Sequence, residues 1–413
     1  MSDQATSDVT SRPSMGKIEF IALMALMGGA VAYAIDAMLP ALPEIGQELS
    51  PDALNRAQLV VTSFVFGMGL GTFLVGPLSD AFGRRPVVLV GSGIFAVASV
   101  IAVFTASLEL LIALRVVQGL GVSAARIVSM AIIRDLFAGR EMARLMSFVT
   151  MVFMLVPAIA PLIGSLIIAV AGWRGVFASF ILFAGLFSGW MMLRLAEPLP
   201  RGHRRPFHPR ALWQAAREVV SHRVVILSTA VMTLCFAALF ASLSTVQQIM
   251  GDTFGRADEF PYWFALIALI SGSAAMLNAK LVIRFGMRFL VSATLGAQVV
   301  LCLVMLALTA VDMPPGLQFA VYIAWQSSVF CMASLTLGNL TSLAMEPLGH
   351  IAGMAASVIS GLATVGSVLI AIPIGLAFDG TPVPLILGVM VCALLGRLLT
   401  IPLGRAEESS RQG

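Results

Sequence analysis

Ala57-Gln-Leu-Val-Val-Thr-Ser-Phe64-Val-Phe-Gly67-Met-Gly69-Leu-Gly71-Thr-Phe-Leu-Val-Gly76-Pro-Leu-Ser79-Asp80-Ala-Phe-Gly83-Arg84-Arg85-Pro86 is the stretch whose reading decides the fold. Residues 57–79 form an apolar run of the length an α-helix needs to cross the hydrocarbon core of a bilayer, about 20 residues. Asp80, Arg84 and Arg85 then arrive together, and a second apolar run occupies 87–106. A span, a short charged turn and another span describe a helical hairpin across a membrane. The interior glycines permit close helix contact.

The whole chain repeats this pattern. Its 413 residues are 59% hydrophobic and only 11% charged, with a mean hydropathy of +0.97. Soluble domains carry about 25% charged residues, and no soluble protein of this size hides so much apolar surface. A soluble enzyme is therefore excluded. The net charge of +4 does not imply nucleic acid, because the basic residues cluster beside apolar spans. Cys235, Cys302, Cys331 and Cys392 fall inside apolar runs without CxxC spacing, and read as small buried hydrophobes.

About twelve spans follow from length: near 18–42, 57–79, 87–106, 109–133, 146–170 and 175–196, then 223–247, 260–283, 289–311, 316–343, 350–376 and 383–403. The expected fold is an all-α polytopic membrane protein made of two pseudo-symmetric six-helix bundles, 18–196 and 223–403. A proline- and arginine-rich linker, 197–222, joins them and is helical along 210–220. Residues 1–17 and 404–413 are expected as cytoplasmic tails. Arg84 and Arg85, then Arg134, Arg140 and Arg144, the linker arginines, and Lys280, Arg284 and Arg288 all lie in loops on one side, while the opposite loops carry mainly acids. By the positive-inside rule the basic side is the cytoplasm, which places both termini there.

The halves echo each other. Leu78-Ser-Asp-Ala-Phe-Gly-Arg-Arg85 and Leu281-Val-Ile-Arg-Phe-Gly-Met-Arg288 share Leu, Phe, Gly and the final Arg at a constant offset, with Ile283 where the first copy has Asp80. Internal repeats of this kind typify secondary transporters.

Charges inside the spans point the same way. Asp36 lies in the outer half of span one, and Arg115 some six residues into span four from the extracellular side. A charge at membrane depth costs several kcal/mol on insertion scales, about 2.5–3.5, and persists mainly where it has a partner or lines a watery cavity. Similar depths permit an ion pair or a water-bridged pair. Gln118 and Tyr33 each lie one turn away and could join it. The alternative is a buried pair that merely fixes helix packing, although such pairs are poor stabilisers. Arg126 follows Arg115 by eleven residues, so it faces nearly the same way, roughly 16 Å nearer the cytoplasm. It either lines an inward vestibule or snorkels to the boundary.

Several strings converge on one family. Gly76-Pro-Leu-Ser-Asp80-Ala-Phe-Gly83-Arg84-Arg85-Pro86 resembles the signature loop of the major facilitator superfamily, and Arg115-Val-Val-Gln118-Gly119-Leu-Gly121 the fourth-helix signature of its drug–proton antiporters. Pro157-Ala-Ile-Ala-Pro161-Leu-Ile-Gly164 is similar to their fifth-helix motif in reduced form. Asp36-Ala-Met-Leu-Pro40-Ala-Leu-Pro43, Gly172-Trp-Arg-Gly-Val-Phe177 and His350-Ile-Ala-Gly-Met-Ala-Ala-Ser357 resemble the Bcr/CflA branch, which exports bicyclomycin and phenicol-type drugs.

The resemblance implies a proton-coupled antiporter in the bacterial inner membrane that exports lipophilic small molecules by alternating access. No cofactor is expected beyond the proton gradient, and the expected partners are the substrate, protons and membrane lipid; a monomer is expected. Asp36 and Arg115 are the candidates for proton coupling. Gly76, Asp80, Gly83, Arg84 and Arg85 form a cytoplasmic gate motif, in which the resemblance implies that Asp80 approaches the start of the eleventh helix near Gly349–Gly353. Phe64, Met151, Met154, Phe236, Phe240 and Gln247 are cavity candidates beside Tyr33, Gln118 and Arg126, with ordinary helix packing as the alternative for each. Two rivals stay open: an importer of a metabolite or nutrient on the same fold, and a copper carrier using pairs such as Met142 with Met146 or His350 with Met354. The sequence has no HExxH, no phosphate-binding loop and no nucleophile–base pair, so an enzyme is not expected.

Overall fold

A computed structural model describes residues 15–204 and 209–412. Most of the tail expected at 1–17, and linker residues 205–208, lie outside the described residues. The described chain is helical, with no β-strand. The elements are α1 (Lys17–Asp36), α2 (Leu42–Leu49), α3 (Leu59–Phe82), α4 (Arg84–Val103), α5 (Leu108–Leu136), α6 (Gly139–Arg194), α7 (Pro209–Ser221), α8 (Arg223–Gln248), α9 (Phe260–Phe285), α10 (Met287–Thr309), α11 (Pro315–Met345), α12 (Ala352–Leu376) and α13 (Val383–Gln412).

Ten helical stretches are long and apolar enough to cross a membrane. Two of them are double. The 56-residue α6 would be about 84 Å long as one straight helix, yet it breaks at Gly172, whose φ of 64° and ψ of −176° are non-helical. The 62-residue stretch Pro315–Leu376 breaks at a 3-10 turn over Glu346–Ile351. Counting each break, the chain makes the twelve passes expected from length. Span one is shorter than expected: α1 stops at Asp36 and the chain turns through Leu39–Ala41 before α2. At the other end α13 runs on to Gln412, past the apolar part that ends at Leu403.

Within the first half, α5 packs against α1, α3 and α4, and α6 against α1 and α4. Within the second, α8 packs against α11, α12 and α13, and α10 against α11 and α13. The halves meet through α3 on α12 and α6 on α9. Glycine makes the tightest of these seams. A Cβ on Gly67 would fall onto Val116 O, and one on Gly119 onto Phe64 O, so α3 and α5 touch backbone to backbone. Van der Waals packing at small residues is what holds helices together in lipid, where hydrophobic association between spans is lost. Large apolar side chains such as Val170, Leu193 and Leu182 point outward, as a lipid-facing surface requires.

The interhelical turns repeat as the sequence does. Gly83 (φ 100°, ψ 160°) and Gly286 (φ 80°, ψ 156°) occupy the same backbone region between consecutive spans, one that only glycine adopts without strain. The linker carries α7, whose face packs on α12 and α8. Glu218 on α7 lies with Oε1 2.7 Å from His350 Nε2, just ahead of α12.

Candidate functional site

Arg115 is fully buried in the first half. Its guanidinium donates to Val60 O of α3 and Ala34 O of α1, each at 3.0 Å, and to Gln118 Oε1 at 2.9 Å. It also lies 4.2 Å from the Phe64 ring centre, a cation–π arrangement. Gln118 in turn donates to Ser99 Oγ on α4 at 3.0 Å. Arg115 and Gln118 together therefore tie four spans. The carbonyl on α1 is available because that helix ends there: Met38 N–H turns to Ile35 O, leaving Ala34 O among the orphan acceptors of a helix C-terminus. A cation is favoured at that end of the helix dipole.

Asp36 is the last residue of α1 and is buried. Its carboxyl group receives no hydrogen bond among the described residues. Asp36 and Arg115 therefore share the end of α1 without forming the ion pair that their depths permit; backbone carbonyls and Gln118 occupy the guanidinium instead. Tyr33 is also turned elsewhere. Its hydroxyl meets Ser179 Oγ at 2.8 Å and its ring stacks on Phe183 at 4.8 Å.

The turn after Asp36 is anchored by the Gly172 motif. Trp173 donates from its backbone N–H to Glu44 Oε2 at 3.1 Å and from its indole to Glu48 Oε2 at 2.7 Å, and Arg174 holds Glu48 at 2.7 Å. The break in α6 thus frees an N–H at a new helix start, and a carboxylate of α2 accepts it.

At this acidic end the two halves are bonded to each other. Asn55 donates to Phe378 O at 2.6 Å, Gln58 to Gln248 Oε1 at 2.8 Å and to Gly375 O at 3.1 Å, and Gln248 to Asn55 Oδ1 at 2.7 Å. Sequence reasoning missed this amide cluster. The available signal was an Asn–Gln pair at the mouth of span two and a second amide pair, Gln247 and Gln248, closing span seven.

At the opposite, arginine-rich end a cavity of about 720 Å³ opens between first-half helices and α12. Arg126, Gly76, Asp80 and Arg84 line it, together with Asp135, Arg134 and Gly353. Arg84 is buried and donates to Asp80 Oδ1 at 2.6 Å and to Asp135 Oδ2 at 2.7 Å. Arg85 donates to Met192 O at 2.7 Å. Glu197, at the start of the linker, accepts the backbone N–H groups of Arg84 at 2.8 Å and Arg85 at 3.0 Å, capping α4. Asp135 and Glu197 were not singled out from sequence, although an acid inside an arginine-rich loop was the sign of each. No described bond links Asp80 to Gly349–Gly353. Both sides line the same open cavity, so the latch implied by the resemblance is not engaged in this conformation.

The other cavity candidates whose side chains are described lie outside that lining. Phe64 packs under Arg115, Phe236 stacks on Phe240 at 5.5 Å, and Gln247 is buried. Met151 is half exposed, and the side chain of Met154 lies outside the described residues. Of the copper pairs, Met354 lines the cavity while His350 faces Glu218. Cys235, Cys302 and Cys392 are buried and Cys331 half-buried, all as free thiols.

Residues 24–371 match the family profile of the Major Facilitator Superfamily. The chain is 26% identical to the uncharacterized MFS-type transporter YdgK of Bacillus subtilis, over 94% of this chain and 95% of that one. It is 28% identical to a bicyclomycin resistance protein homolog of Haemophilus influenzae, over 68% and 70%. Its fold matches the inward-open xylose transporter XylE from E. coli with a TM-score of 0.70 at 15% identity, covering 92% of this chain and 95% of that chain. A profile match across most of the chain, on twelve passes with a cavity between two halves, has one meaning: the protein belongs to the Major Facilitator Superfamily.

Proposed function

We propose that the protein is a proton-coupled antiporter of the bacterial inner membrane, exporting lipophilic small molecules of the bicyclomycin and phenicol kind by alternating access. The arginine-rich end is the cytoplasmic one, and both termini lie there. Resistance to bicyclomycin, named for one relative, supports the substrate class. The observation that carries the coupling is Asp36, a buried carboxyl without a hydrogen-bond donor at the very helix end that Arg115 caps.

Apolar surroundings favour a neutral carboxyl, and a nearby guanidinium favours an ionised one. Two arrangements of Arg115 then suffice for a cycle. With the guanidinium on Ala34 O, Val60 O and Gln118, Asp36 keeps a proton. If α1 and α5 shift so that the guanidinium turns to Asp36, the proton leaves. Substrate entering the cavity from the cytoplasm promotes release inward, and a proton from outside resets the carrier. Opening the outer end requires parting Asn55 and Gln58 from Gln248, Gly375 and Phe378, with Asp80 then closing the inner end against α12.

Purified protein in proteoliposomes with an imposed pH gradient tests this with phenicols and lipophilic dyes, wild type beside Asp36→Asn. Gradient-driven movement in the wild type and none in the variant is expected. Undiminished movement in Asp36→Asn would sink the coupling assignment.

One observation favours the rival importer of a polar metabolite. In α8 and α11 the buried Gln247 Oε1, Tyr322 hydroxyl and Gln326 Oε1 have no partner among the described residues. Buried polar groups are normally satisfied, and a polar solute would satisfy them. Uptake of labelled sugars and amino acids, unaffected by phenicols, would favour that reading.

A further inference from the structure

Arg126 lines the cavity with no acid paired to it among the described residues. The buried cation there, Arg84, is shared by Asp80 and Asp135, so both cavity acids are already committed. Arg134 turns to its own helix, donating to Met130 O at 3.3 Å. The guanidinium of Arg126 meets only Met68 Sδ, at 3.9 Å. It sits on α5 three helical turns from Arg115, with its side chain exposed to the cavity. Thr150 and Ser360 also line the cavity, from opposite halves, with hydroxyls that have no partner among the described residues. The rest of the wall is mostly apolar, including Ile127, Met130, Val149 and Met354.

We propose that this cavity holds an anionic amphiphile, its carboxylate on Arg126 with Thr150 and Ser360 as further donors and its apolar body against the Ile, Met and Val wall. A planar guanidinium matches a carboxylate with two parallel hydrogen bonds. Spare cations in a low-dielectric cleft also concentrate anions at its mouth. The volume suits a drug-sized ligand, for which pockets run about 300–1,000 Å³. A ligand of this kind presupposes the transport function proposed above and narrows its substrate class from lipophilic molecules in general to those bearing a negative charge.

The test uses the full-length protein in detergent at neutral pH and compares binding of 4-butylbenzoate with that of 4-butylbenzamide, its neutral isostere. The wild type is expected to bind the benzoate about tenfold or more tightly than the benzamide, the return from one charge-assisted contact. Added salt should erode only the benzoate affinity. Arg126→Gln should abolish the preference by weakening the benzoate alone, and Arg126→Lys should retain part of it. Equal wild-type affinities for the two probes would overturn the proposal, a comparison that does not depend on any variant folding. A benzoate preference surviving in Arg126→Gln would overturn it as well. Gradient-driven export of the benzamide with no benzoate preference would end the anion site and leave the exporter standing. Benzoate preference with no gradient-driven movement of either probe would uphold the anion site and end the exporter.

Discussion

The turn at Gly83 and the turn at Gly286 share a backbone and almost nothing else. Both glycines occupy a positive-φ region next to a new helix start. In the first turn Arg84 is buried between Asp80 and Asp135, and Glu197 caps the helix behind it. In the second, the residue matching Arg84 is the half-buried Met287, and that matching Asp80 is Ile283, 87% exposed. The geometry of the hairpin is thus common to both halves, whereas the cluster of Arg84 with Asp80 and Asp135 belongs to the first. A turn needs only a residue that tolerates its dihedral angles. The gate proposed above needs more, a charge that can change partners.

Removing the buried cation should have the largest effect on that contrast. Arg84→Ala leaves Asp80 and Asp135 facing each other beside a helix end, and a loss of about 3 kcal/mol is expected for a buried pair deprived of one partner. Met287→Ala should cost under about 1 kcal/mol, since a half-buried side chain has little area to lose. Thermal unfolding in detergent reads both, and equal shifts would show that the first-half network contributes nothing special.

Glycine replacement should come next. Gly83→Ala and Gly286→Ala both strain the backbone, by about 1–3 kcal/mol. The Cβ on Gly83 would also come within 2.9 Å of Glu197 Oε2 and Arg204 Nη2, while that on Gly286 meets nothing within 4 Å. Gly83→Ala should therefore melt lower, and the reverse order would mean that the linker gives way without resistance. Glu197→Gln should be milder than the glycine replacements, about 1 kcal/mol, because the amide oxygen can still accept one N–H but loses the charge that favours a helix N-terminus. Hydrogen exchange should then rise at the first turn of α4, whose N–H groups Glu197 accepts, and an unchanged first turn would mean that the charge at this cap contributes nothing.

Much of the fold was legible because membrane crossing is a matter of length and polarity. Runs of about 20 apolar residues announced the spans, and the break at Gly172 fell where an apolar count had already separated spans five and six. The Leu–Phe–Gly–Arg repeat announced two equivalent turns. The site was legible only as a set of residues. Asp36 and Arg115 stood out as charges in apolar surroundings, and they do meet at one helix end. Their pairing was not legible, because Arg115 chose Ala34 O and Val60 O, and every residue carries a carbonyl. Arg126 was left between a vestibule and the membrane boundary, and in the structure it forms part of the wall of the cavity at the arginine-rich end. Phe64 and Phe240 looked like cavity wall because aromatic residues on a span look alike whether they face a ligand or a neighbouring helix.

By itself, then, the sequence determined a twelve-pass helical membrane protein with a duplicated hairpin turn and rare charges placed at depth, since each follows from side-chain transfer energies and from backbone angles local to a few residues. Which partners those charges take was decided by tertiary structure: Glu197 reaches Arg84 across 113 positions, and Gln58 reaches Gly375 across 317. Which end stands open was decided there too. The contacts that hold the acidic end together and leave the cavity open at the other come from distant parts of the chain, a balance that no single stretch of chain contains.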